Sequence, residues 1–390
     1  MTAIDVAIVV PNHNGRRQLG ECLESIHALA YPRERVRTVL VDNGSVDGST
    51  AFVRARYPWV RIHENGANRG FSAACNTGAR LAGDAAALVF LNNDMRVEVN
   101  FLTELVGPLV DRRADCSSAK ILSWNGEKVN YAGGGMNFHG IGFQKGWLET
   151  PSAAHDAEAP TLFACGGAMA ITRACFEDAG GFDEDFFAYY EDSDLGWRLW
   201  VLGYRVLYAP RAVCFHHHSL TARSFPPEQI RMLQVRNPLL SIFKNYGEGA
   251  LAPVLAASLL LAAKRALTIG GIGSEEFRIE RTPSRPIGGL REHVVRARRR
   301  FGRKMAVPKL ALADLVALGD VGELLPRLVE KREAVQRRRK RPDSEILPLF
   351  EDPLWCVEPR ADYKRLQETV QDFFRIVDLF GSNGRPAPPA

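Results

Sequence analysis

The chain has 390 residues, of which 46% are hydrophobic and 24% charged, and its formal net charge is +5. These are globular values, sufficient for two or perhaps three domains, and the lack of an 18-residue apolar run argues against a clear transmembrane helix. The excess of positive charge lies in the C-terminal part of the chain. Residues 1–240 carry 23 basic and 26 acidic side chains, whereas residues 241–390 carry 27 and 19.

The N-terminus and the cysteines indicate the compartment. A predicted strand begins near residue 6, without the basic and apolar regions of a signal peptide. The seven cysteines are scattered and include no C-x-x-C pair, which is typical of reduced thiols and not of disulfides or a zinc site. We therefore expect a cytoplasmic protein.

The N-terminal part alternates predicted strands and helices. Helices are predicted to begin near residues 19, 49 and 72, and strands at residues 6–10, 36–41, 59–63 and 85–91. Polar loops follow the strand ends, as in β-α-β units, so a parallel sheet is expected. No G-x-G-x-x-G follows the first strand and no P-loop motif is present, so the dinucleotide and P-loop interpretations lose their main support.

The fourth predicted strand ends in Asn92, Asn93 and Asp94. Short oxygen-bearing side chains at the carboxyl end of a buried strand mark the edge where α/β sheets usually bind ligands. Asp94 is suited to a hard divalent cation, which in turn would hold a diphosphate. A plain turn is the alternative, because Asn and Asp are ordinary turn formers.

A helix predicted at residues 99–110 is followed by glycine-rich, strand-like pieces. These pieces lie at residues 117–122, 129–138 and 162–171. Within the last of them, Gly166 and Gly167 allow a ligand or another backbone to approach closely, although a bulge in a buried strand explains them equally well. The run at residues 133–135 is more typical of a hairpin or flexible loop than of a phosphate cradle.

Residues 183–194 contain six carboxylates interleaved with aromatic side chains. Glu191 and Asp192 would lie near the N-terminus of a helix running to Leu202. The helix dipole there favours the ionised carboxylate, while apolar neighbours raise its pKa. A carboxylate so placed suits deprotonation of an attacking alcohol. Helix capping by Asp and Glu explains some of these residues, but not all of them.

Three consecutive histidines follow a short strand predicted at residues 205–208. Alternation along a strand places His216 and His218 on one face and His217 on the other. Imidazole is a good ligand for divalent metals, and a structural role is the alternative.

The pattern becomes helical from residue 226 onward. The apolar run at residues 251–263 is too short to span a bilayer, so a buried or interfacial helix is expected. The basic stretch at residues 291–304 is suited to anionic lipid, and a soluble helical appendage is the alternative. A second basic cluster at residues 337–341 is most simply a solvated helix face. Residues 381–390, rich in Gly and Pro, are expected to be disordered.

Five motifs, taken in order, resemble the inverting family 2 nucleotide-sugar glycosyltransferases of the GT-A fold, particularly their rhamnosyltransferase-like bacterial branch. The resemblance covers roughly residues 4–225. Each motif alone is weak evidence, whereas five in the family's order are specific. The motifs are PNHNG at 11–15, VDNGSVDGS at 41–49, NRGF at 68–71 with Asn76, LNND at 91–94, and YEDSDL at 190–195 with Arg198.

The resemblance implies roles for individual residues. Asp42 would accept a hydrogen bond from the pyrimidine imide, and Asp192 of the Glu191-Asp192 pair would be the general base. Asp94 matches the last Asp of the family's D-x-D, and Asn92 replaces the first, so the metal would be held weakly without donor diphosphate. The metal, Mn²⁺ or Mg²⁺, would be bound by Asp94 and His216, with His218 as the alternative. The donor site would comprise Pro11, Asn12, Asn14, Asp42, Asn43, Gly44, Asn68, Arg69, Gly70, Asn76, Asn92, Asn93, Gly166 and Gly167.

The implied architecture is an α/β GT-A domain, a Rossmann-like mixed and mostly parallel sheet flanked by helices, over residues 1–225. A helical, basic extension would follow at residues 226–380. The implied activity is metal-dependent, inverting transfer of a sugar from a dTDP- or UDP-linked donor, with dTDP-rhamnose as the default. The acceptor would be a hydroxyl of a glycan or lipid-linked molecule in cell-surface polysaccharide assembly, reached by peripheral contact with the inner face of an anionic membrane.

Three other functions compete with this one. A non-catalytic sugar-nucleotide or glycan-binding module would share the fold, but the acidic pair and Asp94 are retained. A processive polysaccharide synthase would need spanning helices and a Q-x-x-R-W motif, where this chain has residues 194–198, DLGWR. Nucleic-acid binding is not expected, because the basic C-terminal region lacks the aromatic-basic interleaving of a recognised motif.

Overall fold

A computed structural model describes residues 3–217, 225–272 and 307–381. Most of the strands lie in one mixed sheet, and two of them form a separate hairpin. The strands are β1 Val6–Asn12, β2 Val36–Asp42, β3 Val60–Glu64, β4 Ala87–Leu91, β5 Met95–Val97, β6 Cys116–Ser123, β7 Val129–Tyr131, β8 Gly134–Met136, β9 Gly142–Gln144, β10 Ala159–Pro160, β11 Ala168–Thr172 and β12 Val206–His216.

The sheet has the order β10-β12-β6-β11-β4-β1-β2-β3, with β5 paired to β12 and β7 paired to β6. Strands β4, β1, β2 and β3 run parallel, which confirms the expected β-α-β units. Strand β11 is antiparallel to both β4 and β6, so the sheet is mixed. The predicted GT-A fold class with a helical C-terminal extension is confirmed.

Helices cover the sheet and continue into the C-terminal region. The first six are α1 Leu19–His27, α2 Ser49–Arg56, α3 Phe71–Leu81, α4 Phe101–Val110, α5 Arg173–Asp178 and α6 Glu191–Val201. The others in the described ranges are α7 Pro227–Asn245, α8 Glu248–Gly270, α9 Lys309–Arg337, α10 Asp343–Ile346, α11 Ala361–Phe373 and α12 Ile376–Phe380.

The apolar pattern of the N-terminal half explains this arrangement. Strand β4 is buried at all five positions, as expected for a strand covered on both faces. Helix α3 consists largely of small residues, so it approaches the sheet closely. A Cβ added at Gly78 would lie only 2.1 Å from Val9 Cγ1, so position 78 of this helix has no room for a side chain.

Three predicted strands have different bounds in the structure. The piece at 129–138 is divided into β7 and β8, and only the second half of 162–171 forms β11. The short strand at 205–208 is the start of the eleven-residue strand β12, which carries His216 at its end. The glycines at 133–135 enter the β8–β9 hairpin, as predicted.

The C-terminal helices pack against the sheet domain. Helix α8 extends the predicted apolar run at both ends to 23 residues, so by length and composition it is able to cross a membrane. Its buried residues, among them Val254, Ala257 and Leu261, belong to the same hydrophobic core as the sheet. Leu260 on α8 is 47% exposed.

The structure describes only the second of the two basic stretches, residues 337–341. Residues 291–304, His218 and residues 382–390 of the tail lie outside the described part of the chain. In the second cluster, by contrast, arginines contact the protein itself. Arg338 pairs with Asp178, and Arg341 donates hydrogen bonds to the carbonyls of Gly203 and Tyr204. This cluster therefore helps to join the C-terminal helices to the N-terminal half.

Candidate functional site

Polar side chains meet where β1, β2 and β4 end. Asn12 and Asp42 are opposite each other in the β1–β2 register. The Asn12 side-chain amide donates to Asp42 Oδ1 at 2.7 Å, and Asn93 donates to Asn12 Oδ1 at 2.6 Å. Because the three strands are parallel, their carboxyl ends lie at one edge of the sheet. This edge is the one at which the sequence predicts a ligand.

Asp42 also shapes the loop that follows β2. Its carboxylate accepts hydrogen bonds from the Ser45 backbone N–H at 2.9 Å and the Ser45 hydroxyl at 2.6 Å. Together with Asn12, these bonds occupy three of about four acceptor positions of a carboxylate. Asp42 is 1% exposed, so a nucleotide base reaching its remaining lone pair would have to displace part of this loop. Its contact with the base remains a prediction.

A second polar loop lies against the first. Asn43 donates to the Gly70 carbonyl at 2.9 Å, and Asn68 Oδ1 accepts from the Gly70 backbone N–H at 2.9 Å. Gly44 has φ = 74°, and a Cβ there would lie 2.8 Å from Ala67 Cα, so this position requires glycine. The structure thus brings the motifs at 41–49 and 68–71 together.

Other predicted donor residues border the same edge. Pro11 lies in β1, one residue before Asn12. Asn14 has φ = 54°, and its side-chain oxygen accepts from the Val46 backbone N–H at 2.9 Å. Arg69 is exposed on the loop between Asn68 and Gly70. For these residues the structure supplies proximity to the site, and donor contact remains a prediction.

Asp94 lies just beyond β4 beside His216. The Asp94 Oδ2 to His216 Nε2 distance is 3.4 Å, and both side chains are largely buried. His217 points elsewhere: it approaches Glu21 at 3.3 Å and stacks on Trp124 with ring centroids 3.6 Å apart. Of the two histidines of the 216–218 run that the structure describes, His216 is therefore the one that can share a cation with Asp94.

The glycine pair at 166–167 connects β4 with α6. The Asn92 backbone N–H donates to the Gly167 carbonyl at 2.9 Å, and the Gly166 N–H donates to Asp192 Oδ2 at 2.9 Å. A Cβ at Gly167 would lie 2.8 Å from the Asn92 side-chain nitrogen. These glycines permit close approach between protein segments, as one of the two interpretations of the sequence expected.

Asp192 and Glu191 begin helix α6 but have different surroundings. Burial raises the pKa of Asp192, although hydrogen bonds from the Gly166 and Ser193 N–H groups partly offset the effect. Glu191 is 7% exposed, and within the described chain its Oε2 has no hydrogen-bonding partner. Burial, followed by the nearby charge of Asp192, raises the pKa of Glu191 well above its ordinary value. Asp192 is the more accessible carboxylate and the better candidate for a base.

The comparisons with known proteins agree with this geometry. A family model described as Glycosyl transferase family 2 matches residues 7–180. An N-acetylglucosaminyl-diphospho-decaprenol L-rhamnosyltransferase of Mycobacterium tuberculosis is 32% identical over 225 residues, covering 49% of this chain and 70% of the relative. The chain belongs to glycosyl transferase family 2. A pre-mycofactocin glycosyltransferase from the same species is 29% identical, covering 57% of this chain and 44% of that protein.

Solved structures show the same fold as this family 2 glycosyltransferase. GalNAc-T7, crystallised with UDP, GalNAc and Mn²⁺, has a TM-score of 0.54 at 17% identity, covering 70% of this chain and 53% of its own. Staphylococcus aureus TarS 1–349 in complex with UDP-GlcNAc has a TM-score of 0.50 at 14% identity, covering 98% and 90%. At these identities the likeness concerns the fold alone.

The acidic segment, residues 183–194, has two structural roles, and the sequence indicated only one of them. Within this segment, Asp192 faces the glycine pair, whereas Asp183, Asp185 and Asp194 face the C-terminal helices. Lys244 pairs with Asp183 and Asp194, and Lys331 pairs with Asp183 and Asp185. Burial alone would raise the pKa of Asp183, but these two lysines hold it well below its ordinary value.

Asn76 also belongs to this junction. Its amide donates to the Phe182 carbonyl at 2.8 Å and accepts from the Phe182 N–H at 3.0 Å. The structure thus uses Asn76 to fasten α3 to the acidic segment, and its donor-binding role remains a prediction. Sequence reasoning missed the partners on α7, although they leave a signal. A polar face recurs at helical spacing along this buried helix, formed by Arg236, Asn237, Ser241, Lys244 and Asn245.

Proposed function

We propose that this enzyme is a metal-dependent, inverting glycosyltransferase. It takes a sugar from a dTDP- or UDP-linked donor, with dTDP-rhamnose as the first choice. The acceptor is a hydroxyl of a glycan or lipid-linked molecule used in cell-surface polysaccharide assembly. The M. tuberculosis relative, named for rhamnosyl transfer to a diphospho-decaprenol acceptor, supports this choice of donor and acceptor.

One continuous set of contacts carries the proposal. Asp94 lies beside His216 at the end of β4, two residues beyond Asn92. Asn92 is bonded to Gly167, and the adjacent Gly166 is bonded to Asp192. A candidate cation site and a candidate base therefore lie on either side of one glycine pair. Such an arrangement suits a reaction in which a diphosphate leaves on one side and a hydroxyl attacks from the other.

The chemistry follows from these positions. Asp192, ionised, accepts the proton of the acceptor hydroxyl as its oxygen attacks the anomeric carbon of the donor. The bond from that carbon to the nucleoside diphosphate breaks on the opposite face, and the electron pair leaves with the diphosphate. A single displacement inverts the anomeric configuration. The raised pKa of Asp192 makes it a stronger base than an exposed Asp, provided that the pH keeps it ionised.

The donor set at Asp94 fits a divalent cation held jointly with substrate. A carboxylate and an imidazole are suitable ligands, and Mg²⁺ commonly uses one or two protein groups together with substrate phosphates. In the described part of the chain, no group of three or more His, Cys, Asp or Glu side chains forms a complete metal site. The bound cation would neutralise charge that develops on the leaving diphosphate.

The proposal extends to a peripheral position at an anionic membrane on the cytoplasmic side. Helix α8 exposes Leu259, Leu260 and Leu267, and the chain that follows is rich in arginine between residues 291 and 304. Exposed apolar side chains and a basic stretch in the same chain both favour binding to anionic lipid. Sedimentation with anionic and with neutral vesicles tests this part separately. Binding to neither kind of vesicle would exclude it.

A thermal-shift panel tests the main proposal. The ligands are UDP, dTDP, GDP and ADP, each with Mn²⁺, with Mg²⁺ and with EDTA. A ligand that binds the folded state raises the melting temperature by mass action. The expected result is a metal-dependent rise with a pyrimidine diphosphate. The absence of any rise would contradict donor binding, while a rise without transfer to any acceptor would favour the non-catalytic sugar-nucleotide module.

A further inference from the structure

The loop immediately before the candidate base has an unusual backbone. Phe187, Tyr189 and Tyr190 have φ values of 62°, 69° and 65°. Left-handed conformations are costly for residues with bulky side chains, so such a loop persists only where its surroundings hold it in place. Tyr190 is the residue that caps the N-terminus of α6, directly before Glu191 and Asp192. The position of the base therefore depends on whatever fixes this loop.

One side chain of the C-terminal region contacts three carbonyls of this loop. The Asn237 side-chain nitrogen, on α7, lies 2.9 Å from the Phe186 carbonyl oxygen and 2.8 Å from those of Ala188 and Tyr189, so its two N–H hydrogens are shared among three acceptors. Asn237 is completely buried. When the amide is removed, the buried carbonyls of Ala188 and Tyr189 lose the donor that the structure gives them, whereas the Phe186 carbonyl still accepts from the Ala188 N–H at 2.7 Å and from Arg236.

The neighbouring arginine sets the orientation of this amide. Arg236 Nε donates to Asn237 Oδ1 at 3.0 Å, which leaves the Asn237 NH₂ group facing the loop. The same guanidinium donates to the Asp185 carbonyl at 2.7 Å and pairs with Asp320 of α9 at 2.6 Å. The restraint on the loop is thus itself fixed by two other segments of the protein.

The loop also touches the predicted donor side of the site. The Phe187 carbonyl accepts from the Ser72 N–H at 3.4 Å. A Cβ at Gly70 would lie 2.4 Å from that carbonyl oxygen, so the loop lies directly on the motif at 68–71. At its other end the loop leads to Asp192, which is bonded to Gly166. One short segment therefore connects the donor motif with the base.

We propose that Asn237 is a positioning residue for the transfer reaction, acting through loop 186–190 on the placement of Asp192. This inference rests on the proposed function, because it takes Asp192 to be the base. The C-terminal helices are then part of the catalytic apparatus, since α7 holds the loop and α9 orients Asn237 through Arg236. A small shift of a reacting group lowers a rate strongly, even when the change is made far from the reacting atoms.

Two variants and a matched control test the proposal. Asn237→Ala removes the amide from all three carbonyls, and Asn237→Ser retains one hydroxyl donor, which lies closer to the helix backbone than the amide nitrogen. The control is Ser241→Ala, one turn further along α7. Ser241 is also completely buried, but within the described residues its hydroxyl has no hydrogen-bonding partner. The control therefore changes the same helix face without releasing the loop.

Two measurements distinguish a positioning role of Asn237 from a general loss of folding. One of them does not depend on the proposed reaction. The first is hydrogen exchange of the backbone amides of residues 184–192, which does not depend on activity. The second is kcat and donor KM, measured with the nucleotide sugar that the thermal-shift panel selects. For Asn237→Ala, we expect faster exchange confined to this segment and a kcat lowered between about 10- and 100-fold. We expect donor KM within about twofold of wild type, intermediate values for Asn237→Ser, and none of these changes for Ser241→Ala.

The outcomes are distinguishable. Wild-type kcat in Asn237→Ala, or unchanged exchange in residues 184–192, would overturn the positioning role. A loss of kcat no larger than that of Ser241→Ala would do the same. If Asn237→Ala does not fold, Asn237→Ser decides by the same criteria. If the wild-type protein transfers no sugar, the proposed function fails, and the exchange data still decide whether Asn237 holds the loop.

Discussion

Replacing Asp192 by Asn tests the assignment of the general base most directly. The substitution keeps the size of the side chain and one acceptor oxygen, but it removes the ionisable group. A positioned general base contributes about 10²- to 10⁴-fold to a rate, so kcat should fall by that factor, equivalent to about 3 to 5 kcal/mol of barrier. An amide oxygen can still accept from either the Gly166 or the Ser193 N–H, but not from both in the present geometry.

Stability and nucleotide binding should not follow the loss of activity. Burial raises the pKa of Asp192, which means that the charged form is disfavoured in the folded protein. Asn at this position should therefore leave the melting temperature unchanged or slightly higher. Nucleotide binding should be retained, because the Asn amide oxygen can keep the hydrogen bond that Asp192 accepts from Gly166, a predicted donor residue.

The assay compares kcat, the melting temperature and the nucleotide-induced thermal shift in wild type, Asp192→Asn and Asp178→Asn. Asp178 is a surface carboxylate at the end of α5 that pairs with Arg338, and its substitution should leave kcat unchanged. The pH dependence of kcat tests the direction in which the pKa of Asp192 is shifted. Asp192 must be ionised, so wild-type kcat should be lost as pH falls, at a higher pH than an ordinary Asp would give. Normal turnover by Asp192→Asn would refute the reasoning.

Three further substitutions follow from the site and its junction. Asp94→Ala should abolish the Mn²⁺-dependent part of the nucleotide thermal shift and leave any EDTA-resistant part. Glu191→Gln should raise the melting temperature at neutral pH by about 2 °C or more, because it removes a buried carboxyl whose ionisation disfavours folding. Lys244→Met should lower the free energy of unfolding by about 3 kcal/mol, because it leaves Asp183 and Asp194 buried with fewer partners.

A specific result would contradict each of these three predictions. An unchanged Mn²⁺ titration of Asp94→Ala would remove Asp94 from the cation site. The effect of Glu191→Gln should shrink as pH falls toward the ordinary carboxyl pKa, and a pH-independent effect would contradict the linkage argument. Denaturant titration compares Lys244→Met with Lys309→Met. Lys309 forms an exposed ion pair with Glu228, and such a pair contributes less than about 1 kcal/mol to the free energy of unfolding. Equal losses in the two variants would show that the buried cluster is not special.

Much of the sheet domain could be predicted from local pattern. The apolar runs gave four parallel strands close to their observed bounds, and the polar residues at their ends meet at one edge. The strand predictions succeeded because strand ends, helix starts and alternation are properties of short stretches of chain. The pairing of Asp94 with His216 came from the family resemblance; the structure places their side chains 3.4 Å apart, and their role as metal ligands stays a prediction.

The role of the acidic segment could not be predicted in the same way. Its carboxylates look alike in sequence, yet Asp192 faces the glycine pair while Asp183 faces Lys331, a residue 148 positions away. No local pattern assigns partners at that distance. The left-handed residues were equally unforeseen, since Phe and Tyr favour ordinary extended or helical backbone. Both features depend on the C-terminal helices, which the sequence predicted only as a helical, basic extension.

The shared core has a consequence for how the protein unfolds. Residues of the sheet such as Val9 and Phe90 belong to the same hydrophobic cluster as Ile242, Val254 and Phe350 of the C-terminal region. Domains with separate cores melt in steps, whereas elements that share one core lose it together. Heating should therefore release the helices and the sheet in a single cooperative transition, with one calorimetric peak for both.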